Sequence, residues 1–381
     1  MTGSSIVRLA FVAALAPLLL GAAPAPKPSD AAAWQVFAKM VAPAAGRPGV
    51  KAVAFETWAS EEDIYTPPGP RWPGATVAKQ LHRALAAVAM AGGAAPPHPM
   101  LSIAPGGSCK VPPNGAAGNF PAGACIGEEV RHNRTAFDYV KAQHLYSTAG
   151  LVQAYAARQR ADFPADAVVV KADWIKVSDI LRWLPQAYRT AAAVRRAYYT
   201  NTATLAGVAT EFALAGMSVQ SKRAPNWVWM TFEHRSSLGR CDLIGCHDSF
   251  GALAADVAPR TVPNTDYGPC AKTPALRALL AGVHADAVWE NYCLKGTQTD
   301  YVRADGTATV LANSVIERMN KGVAPDHTSC ITCHAYASYD AKGGPNYAVL
   351  PPHPIGAVDP AQLQGYWQND RLWSFLAIPQ K

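Results

Sequence analysis

Residues 226–234 read Asn-Trp-Val-Trp-Met-Thr-Phe-Glu-His. In an extended chain Trp227, Trp229 and Thr231 fall on one side and Val228, Met230 and Phe232 on the other, the two-residue period of a strand buried on both faces. Residues 167–177 (AVVVKADWIKV) and 213–220 are β-branched or alternate in the same way. Together these stretches predict an antiparallel sheet packed against helices, hence an α+β main domain, with the aromatic stripe as core rather than a cofactor site. Around them, residues 34–41, 76–91 and 128–151 read as helical, 50–58 as a strand, and 92–123 as a long Gly- and Pro-rich loop. There is no internal repeat, Gly-rich phosphate loop or H-E-x-x-H motif.

Near the C-terminus, Cys330, Ile331, Thr332, Cys333 and His334 spell C-x-x-C-H. Two thiols at this spacing add across the two vinyl groups of one haem, and the adjacent imidazole then meets the iron as its proximal ligand. The plainer readings are a disulfide or a zinc site. The surrounding region, 301–381, is expected to be a small, mostly helical, cytochrome c-like haem module. Leu311, Val315 and Met319 recur at four-residue spacing ahead of the motif. Asp370 is placed to cap a last helix carrying Leu372, Trp373, Phe375 and Leu376.

The N-terminus supports attachment outside the cytoplasm. Arg8 precedes an apolar run over 9–21 and then small residues and prolines, the layout of a cleavable secretory signal spanning 1–25. The run is short for a membrane span, and nothing later in the chain approaches one. The predicted location is periplasmic or secreted, with residues 26–300 as the α+β domain. Half of the 381 residues are hydrophobic and 16% are charged, so the chain buries a sizeable core. The net charge of +7 is a mild excess, and no basic–aromatic stripe points to nucleic acid.

Of the 8 cysteines, Cys109, Cys125, Cys241, Cys246, Cys270 and Cys293 lie outside the motif. In an oxidising compartment an even remainder reads as disulfides, with Cys109 and Cys125 bracketing a loop that a bridge would order. The other four allow three pairings. Cys241, Cys246 and His247 form the wider C-x4-C-H spacing, which admits a second haem, although a disulfide is the simpler expectation.

The segments 55–58 (Phe-Glu-Thr-Trp), 227–234, 330–334 and 373–375 (Trp-Ser-Phe) resemble bacterial exported proteins of the cytochrome c family, large single-haem chains with the motif near the C-terminus. The resemblance implies one haem c on Cys330 and Cys333, His334 as proximal iron ligand, and electron transfer to a redox partner protein. No methionine follows His334, so the usual methionine sixth ligand is in question. His353, between prolines, and His234 are the first distal candidates. His327, Met319, Met230 and Met217 follow, and an open sixth position is the remaining case. A filled iron predicts an electron carrier. An open one predicts a peroxidase-like haem oxidoreductase, for which the large N-terminal region would shape a pocket. The third reading is a disulfide-stapled exported binding protein without haem.

Overall fold

The computed structural model describes residues 25–44, 52–73, 103–104, 108–109, 126–205, 208–317, 324–346, 351 and 353–378. A seven-stranded antiparallel sheet organises them. Its strands are β1 (Ala59–Ser60), β2 (Ile126–His132), β3 (Val168–Lys176), β4 (Thr200–Leu205), β5 (Val208–Ser221), β6 (Val228–His234) and β7 (Tyr292–Gln298). The order is β1-β2-β3-β5-β6-β7, with β4 hydrogen-bonded alongside the first half of β5. The α+β expectation with an antiparallel sheet therefore holds.

Alternation on β6 sorts its side chains as the sequence predicts. Val228, Met230 and Phe232 enter an apolar core with Trp34 and Phe37 of α1 (Pro28–Val41), Trp174, Trp289 and Tyr292. Phe232 sits at its centre, with ring centroids 5.1 Å from Trp34 and 4.5 Å from Phe37. Trp229 faces the opposite way, into a second core. That core draws Phe137 and Val140 from α2 (Arg134–Ala142), Leu151 from α3 (Thr148–Ala156), and Cys330, Ile331, Trp373 and Phe375 from the C-terminal region. The region carrying the C-x-x-C-H motif thus shares its core with the sheet.

Four local expectations change. Leu311 and Val315, expected on a helix ahead of the motif, lie outside any helix. The reason is that the Asn313 side chain takes the Val315 and Ile316 N–H groups and the Leu311 carbonyl takes the Cys330 N–H. The described part of 301–381 is mainly irregular instead of mostly helical. Residues 54–57 form a 3-10 turn instead of a strand, because the Glu56 carboxylate turns back to accept the Val53 N–H at 3.1 Å. That carboxylate also takes hydrogen bonds from Tyr199 and Asn201. The stretch 128–151 is not one helix. Its start pairs with β3 as β2, and Asn133 then ends the strand by capping α2 through its side chain, accepting the Ala136 N–H at 3.0 Å. The last expected helix is a 3-10 turn, Trp373–Ala377. Asp370 does not cap it. Its carboxylate instead binds Lys222 at 2.8 Å and the Phe163 N–H at 2.9 Å. The expected helix over 76–91, the signal segment, and the side chains of Cys109 and Cys125 lie outside the described residues.

Two of the three open pairings are decided against. Cys241 bonds to Cys246, and Cys270 bonds to Cys293. The C-x4-C-H stretch is thereby fastened as a disulfide, which leaves no thiol at Cys241 or Cys246 for a second haem. His247 beside it is on the surface and pairs with Asp256 at 2.7 Å. Among the described residues no helix is long and apolar enough to cross a membrane.

Phe232→Ala opens a cavity between α1 and the sheet, and its expected cost is about 3–5 kcal/mol in urea unfolding. A loss below about 1 kcal/mol would show that the ring is not packed as described.

Candidate functional site

The motif forms a short helix, α4 (Cys330–Ala335), held at its N-terminus by a strand side chain. Gln298 at the end of β7 donates to Ser329 Oγ at 2.6 Å and accepts the Ile331 N–H at 3.1 Å. It thus satisfies one of the backbone donors that a helix start leaves open. The Cys330 N–H reaches the Leu311 carbonyl at 3.0 Å, and its Sγ lies 3.1 Å from the same oxygen. At 3.6 residues per turn Cys330, Cys333 and His334 share one side of this helix, and Thr332 lies on the other. Thr332 hydroxyl donates to the Gly356 carbonyl at 2.7 Å, tying the segment after His353 to that back side.

His334 is oriented by the C-terminal turn. Its Nδ1 lies 3.0 Å from the Arg371 carbonyl oxygen, which can only accept, so Nδ1 carries the proton. Nε2 is then the unprotonated nitrogen, and it has no hydrogen bond among the described residues. Burial pushes the imidazole down to about 4, which keeps it neutral near pH 7. The Trp229 ring from β6 packs against it with centroids 4.6 Å apart. Arg371 is fixed in turn. Asp370 and Arg371 both take positive φ (42° and 68°), a left-handed corner that points the carbonyl inward. The Arg371 guanidinium binds Asn226 at 2.6 Å and Tyr301 at 3.0 Å. Trp373 indole N–H closes the arrangement on the Cys333 carbonyl at 3.2 Å.

Neither Cys330 nor Cys333 is in a disulfide. Burial raises the Cys330 thiol above its ordinary range, which favours its neutral form. Among the described residues no three His, Cys, Asp or Glu side chains gather as a site for a bare metal ion. An iron porphyrin makes a smaller demand, because its ring supplies the equatorial nitrogens and the chain adds an axial imidazole. Two thiols outside any disulfide and a neutral imidazole with its Nε2 bare, all on one helix face, are a donor set that fits haem c.

The sheet face behind Trp229 is polar. Cross-strand register aligns Glu128, Asp173, Gly216 and Glu233 in one row and Val130, Lys171, Ser218 and Thr231 in the next. Lys171 pairs with Glu128 at 2.7 Å, and Lys295 with Glu233 at 3.5 Å. Burial pushes Glu317, just after the Asn313–Ser314 segment docked on this face, up to about 7. Asp173 Oδ1, Ser218 Oγ and Gln220 Nε2 are sealed from solvent without hydrogen-bond partners among the described residues. These residues are a part of the site that motif reading missed. Their signal was present as polar residues at alternate positions, Lys171 and Asp173, within the otherwise apolar run 168–175.

The distal candidates are not brought to His334. His234 projects from the other face of β6, where its ring stacks on Tyr198 at 3.4 Å. Both of its nitrogens are engaged, Nε2 with the Ala197 carbonyl at 2.9 Å and Nδ1 with the Ser236 N–H at 3.2 Å. Met217 and Met230 are in the core around α1, on that same far face. His353 lies next to His327, in the segment that Thr332 of α4 ties down through Gly356. Met319 is outside the described residues. No protein-family model, curated protein or solved structure matches this chain.

Two measurements check this geometry. Asp370→Ala leaves the largely buried Lys222 ammonium with only the exposed Asp162 carboxylate at 3.0 Å and releases the corner under His334, and it should cost on the order of 2 kcal/mol in urea unfolding. An unchanged midpoint would remove Asp370 from its assigned position. His234, by contrast, acts on pH stability. Burial lowers it from 6.5 to about 3, so between those values the unfolded chain binds a proton that the folded chain refuses. Stability from this group is full above pH 6.5 and drains as pH falls toward 3. His234→Gln should flatten that acid limb, which urea titrations at stepped pH would read.

Proposed function

We propose that this chain is an exported c-type cytochrome that carries one haem through thioethers at Cys330 and Cys333 and passes electrons to a redox partner protein. His334 is the proximal ligand. The observation that carries this reading is the Nδ1–Arg371 carbonyl hydrogen bond. It fixes the tautomer, aims the bare Nε2 away from the corner and makes the imidazole a better donor, as ligating histidines require. When bound, the haem supplies a one-electron couple. The chain's contributions are to hold the imidazole neutral, to pack Trp229 against it, and to fix the helix carrying it through the Trp373 indole N–H on the Cys333 carbonyl. Two disulfides agree with maturation in an oxidising compartment, periplasmic or secreted.

A second reading has its own support. A carrier gains nothing from the unpartnered Asp173, Ser218 and Gln220 atoms on the sheet face next to Trp229. A haem oxidoreductase with a displaceable distal position would use such polar groups to hold a small substrate. The carrier is preferred because the donor set alone supports it.

The test is the purified exported protein, made in cells competent for cytochrome maturation. A covalent haem on a denaturing gel and an intact mass increased by one haem are expected, and Cys333→Ala should weaken or abolish both. His334→Ala should keep covalent pigment but lose the low-spin spectrum. A colourless wild-type protein of unmodified mass refutes the proposal. A high-spin spectrum that shifts with cyanide selects the oxidoreductase over the carrier.

A further inference from the structure

Two carboxyl groups meet on the buried sheet face. Glu128 of β2 and Asp173 of β3 stand directly opposite each other across the strands, and both are buried. Side chains paired in this way have Cβ atoms about 4.5–5.5 Å apart. The Asp173 carboxyl is hydrogen-bonded to that of Glu128. Two ionised carboxylates hold no donor between them, so this bond needs one proton. Lys171, two residues before Asp173, gives its ammonium to Glu128 at 2.7 Å. Asp173 Oδ1 has no hydrogen-bond partner among the described residues. The other groups facing the pair add little positive charge. Glu61 faces Glu128 and Lys171 from the short helix Glu61–Tyr65, and Glu317 faces Asp173 and Lys171 from the chain ahead of the motif. Glu233 of β6, in the same row, has its own Lys295 at 3.5 Å. Burial holds Asp173 well above the ordinary carboxylate range.

We propose that Glu128 and Asp173 form a proton-binding site that fills when the protein accepts an electron and empties when it passes the electron on. The inference rests on the haem reading. Strand register ties the pair to His334. Lys171, Ser218 and Thr231 lie in the row next to that of Gln220 and Trp229, and the Trp229 ring packs against the imidazole. The Lys171 ammonium is near enough to disfavour a protonated His334. The interior screens charge far less than water does, so one unit of charge gained or lost beside His334 is felt at the pair. Reduction adds one electron, supplied by the redox partner, and removes one positive charge at the haem. The pair then takes one proton from solvent, which restores the total charge. Oxidation returns the electron to a partner and the proton to water, and no other bond forms or breaks. The Lys171 side chain is 21% exposed, which puts this end of the cluster next to solvent. An electron moved alone makes no use of such a pair, whereas an electron moved with a proton does.

The experiment is a potentiometric titration of the full exported protein at stepped pH, followed by its optical spectrum, with infrared difference spectra between the reduced and oxidised forms. The oxidised state favours the ionised pair and the reduced state the protonated one. The midpoint potential should therefore fall as pH rises, in a window above the ordinary carboxylate range. Its slope should approach about 59 mV per pH unit, the value of a tenfold change for one electron. Reduction should also add a protonated-carboxyl band to the infrared spectrum. Asp173→Asn should remove both slope and band, and Glu128→Gln is the second variant if that chain does not fold. Glu317→Gln should move the window and keep the slope. A haem-bearing wild type whose midpoint is flat between about pH 5 and 10 overturns the proposal and leaves the haem reading standing. A slope that survives in Asp173→Asn and Glu128→Gln does the same. A colourless protein overturns both.

Discussion

Ionised side chains buried against a sheet are costly unless each meets an opposite charge or a donor, and the second face of this sheet is built around that requirement. Lys171 on β3 answers Glu128 on β2, and Lys295 at the irregular point of β7 answers Glu233 on β6. Glu233 also accepts the Ser314 N–H at 2.7 Å, which draws the loop before the motif down onto the strands. Asn313 beside it donates to Thr231 at 2.7 Å. The polar rows thus dock the chain segment that leads into α4. The other face, filled by α1 and aromatic residues, gives the sheet its apolar anchor.

The same logic explains why His334 has one defined tautomer. Its ring is wedged between Trp229 from the sheet and the left-handed corner at Asp370 and Arg371. That corner is unfavourable for non-glycine residues, and surrounding contacts hold it. Lys222 grips Asp370, while Asn226 and Tyr301 grip Arg371. A residue far along the chain is therefore as much a part of the motif as its neighbours in sequence. The polar sheet face and the imidazole also explain each other's position, since Trp229 lies on both.

How much could be read in advance varied with the range of the deciding forces. The strands at 168–176 and 228–234 were legible because alternation on a pleated strand is local and both faces are buried. Residues 54–57 were not, since their turn depends on Glu56 finding Tyr199 and Asn201 far away in sequence. Strand β2 was hidden for a related reason. Its two glutamates suit a helix in isolation, and only pairing with Lys171 and Arg131 makes them tolerable in a sheet. The histidines followed the same division. The sequence offered His234 and His353, and the folded chain stacks one on Tyr198 at the far face of β6 and sets the other against His327.

By itself the sequence determined the pieces whose chemistry is written in neighbouring residues: the period-two strands, the C-x-x-C-H spacing, and the prediction that cysteines outside it would pair. The tertiary structure decided which of those cysteines pair, which nitrogen of His334 is bare, and which polar residues line the buried face. The reason is that each of these depends on groups brought together from distant parts of the chain. Hydrogen bonds and charge pairs act over a few ångströms of space, and separation along the chain does not report that distance.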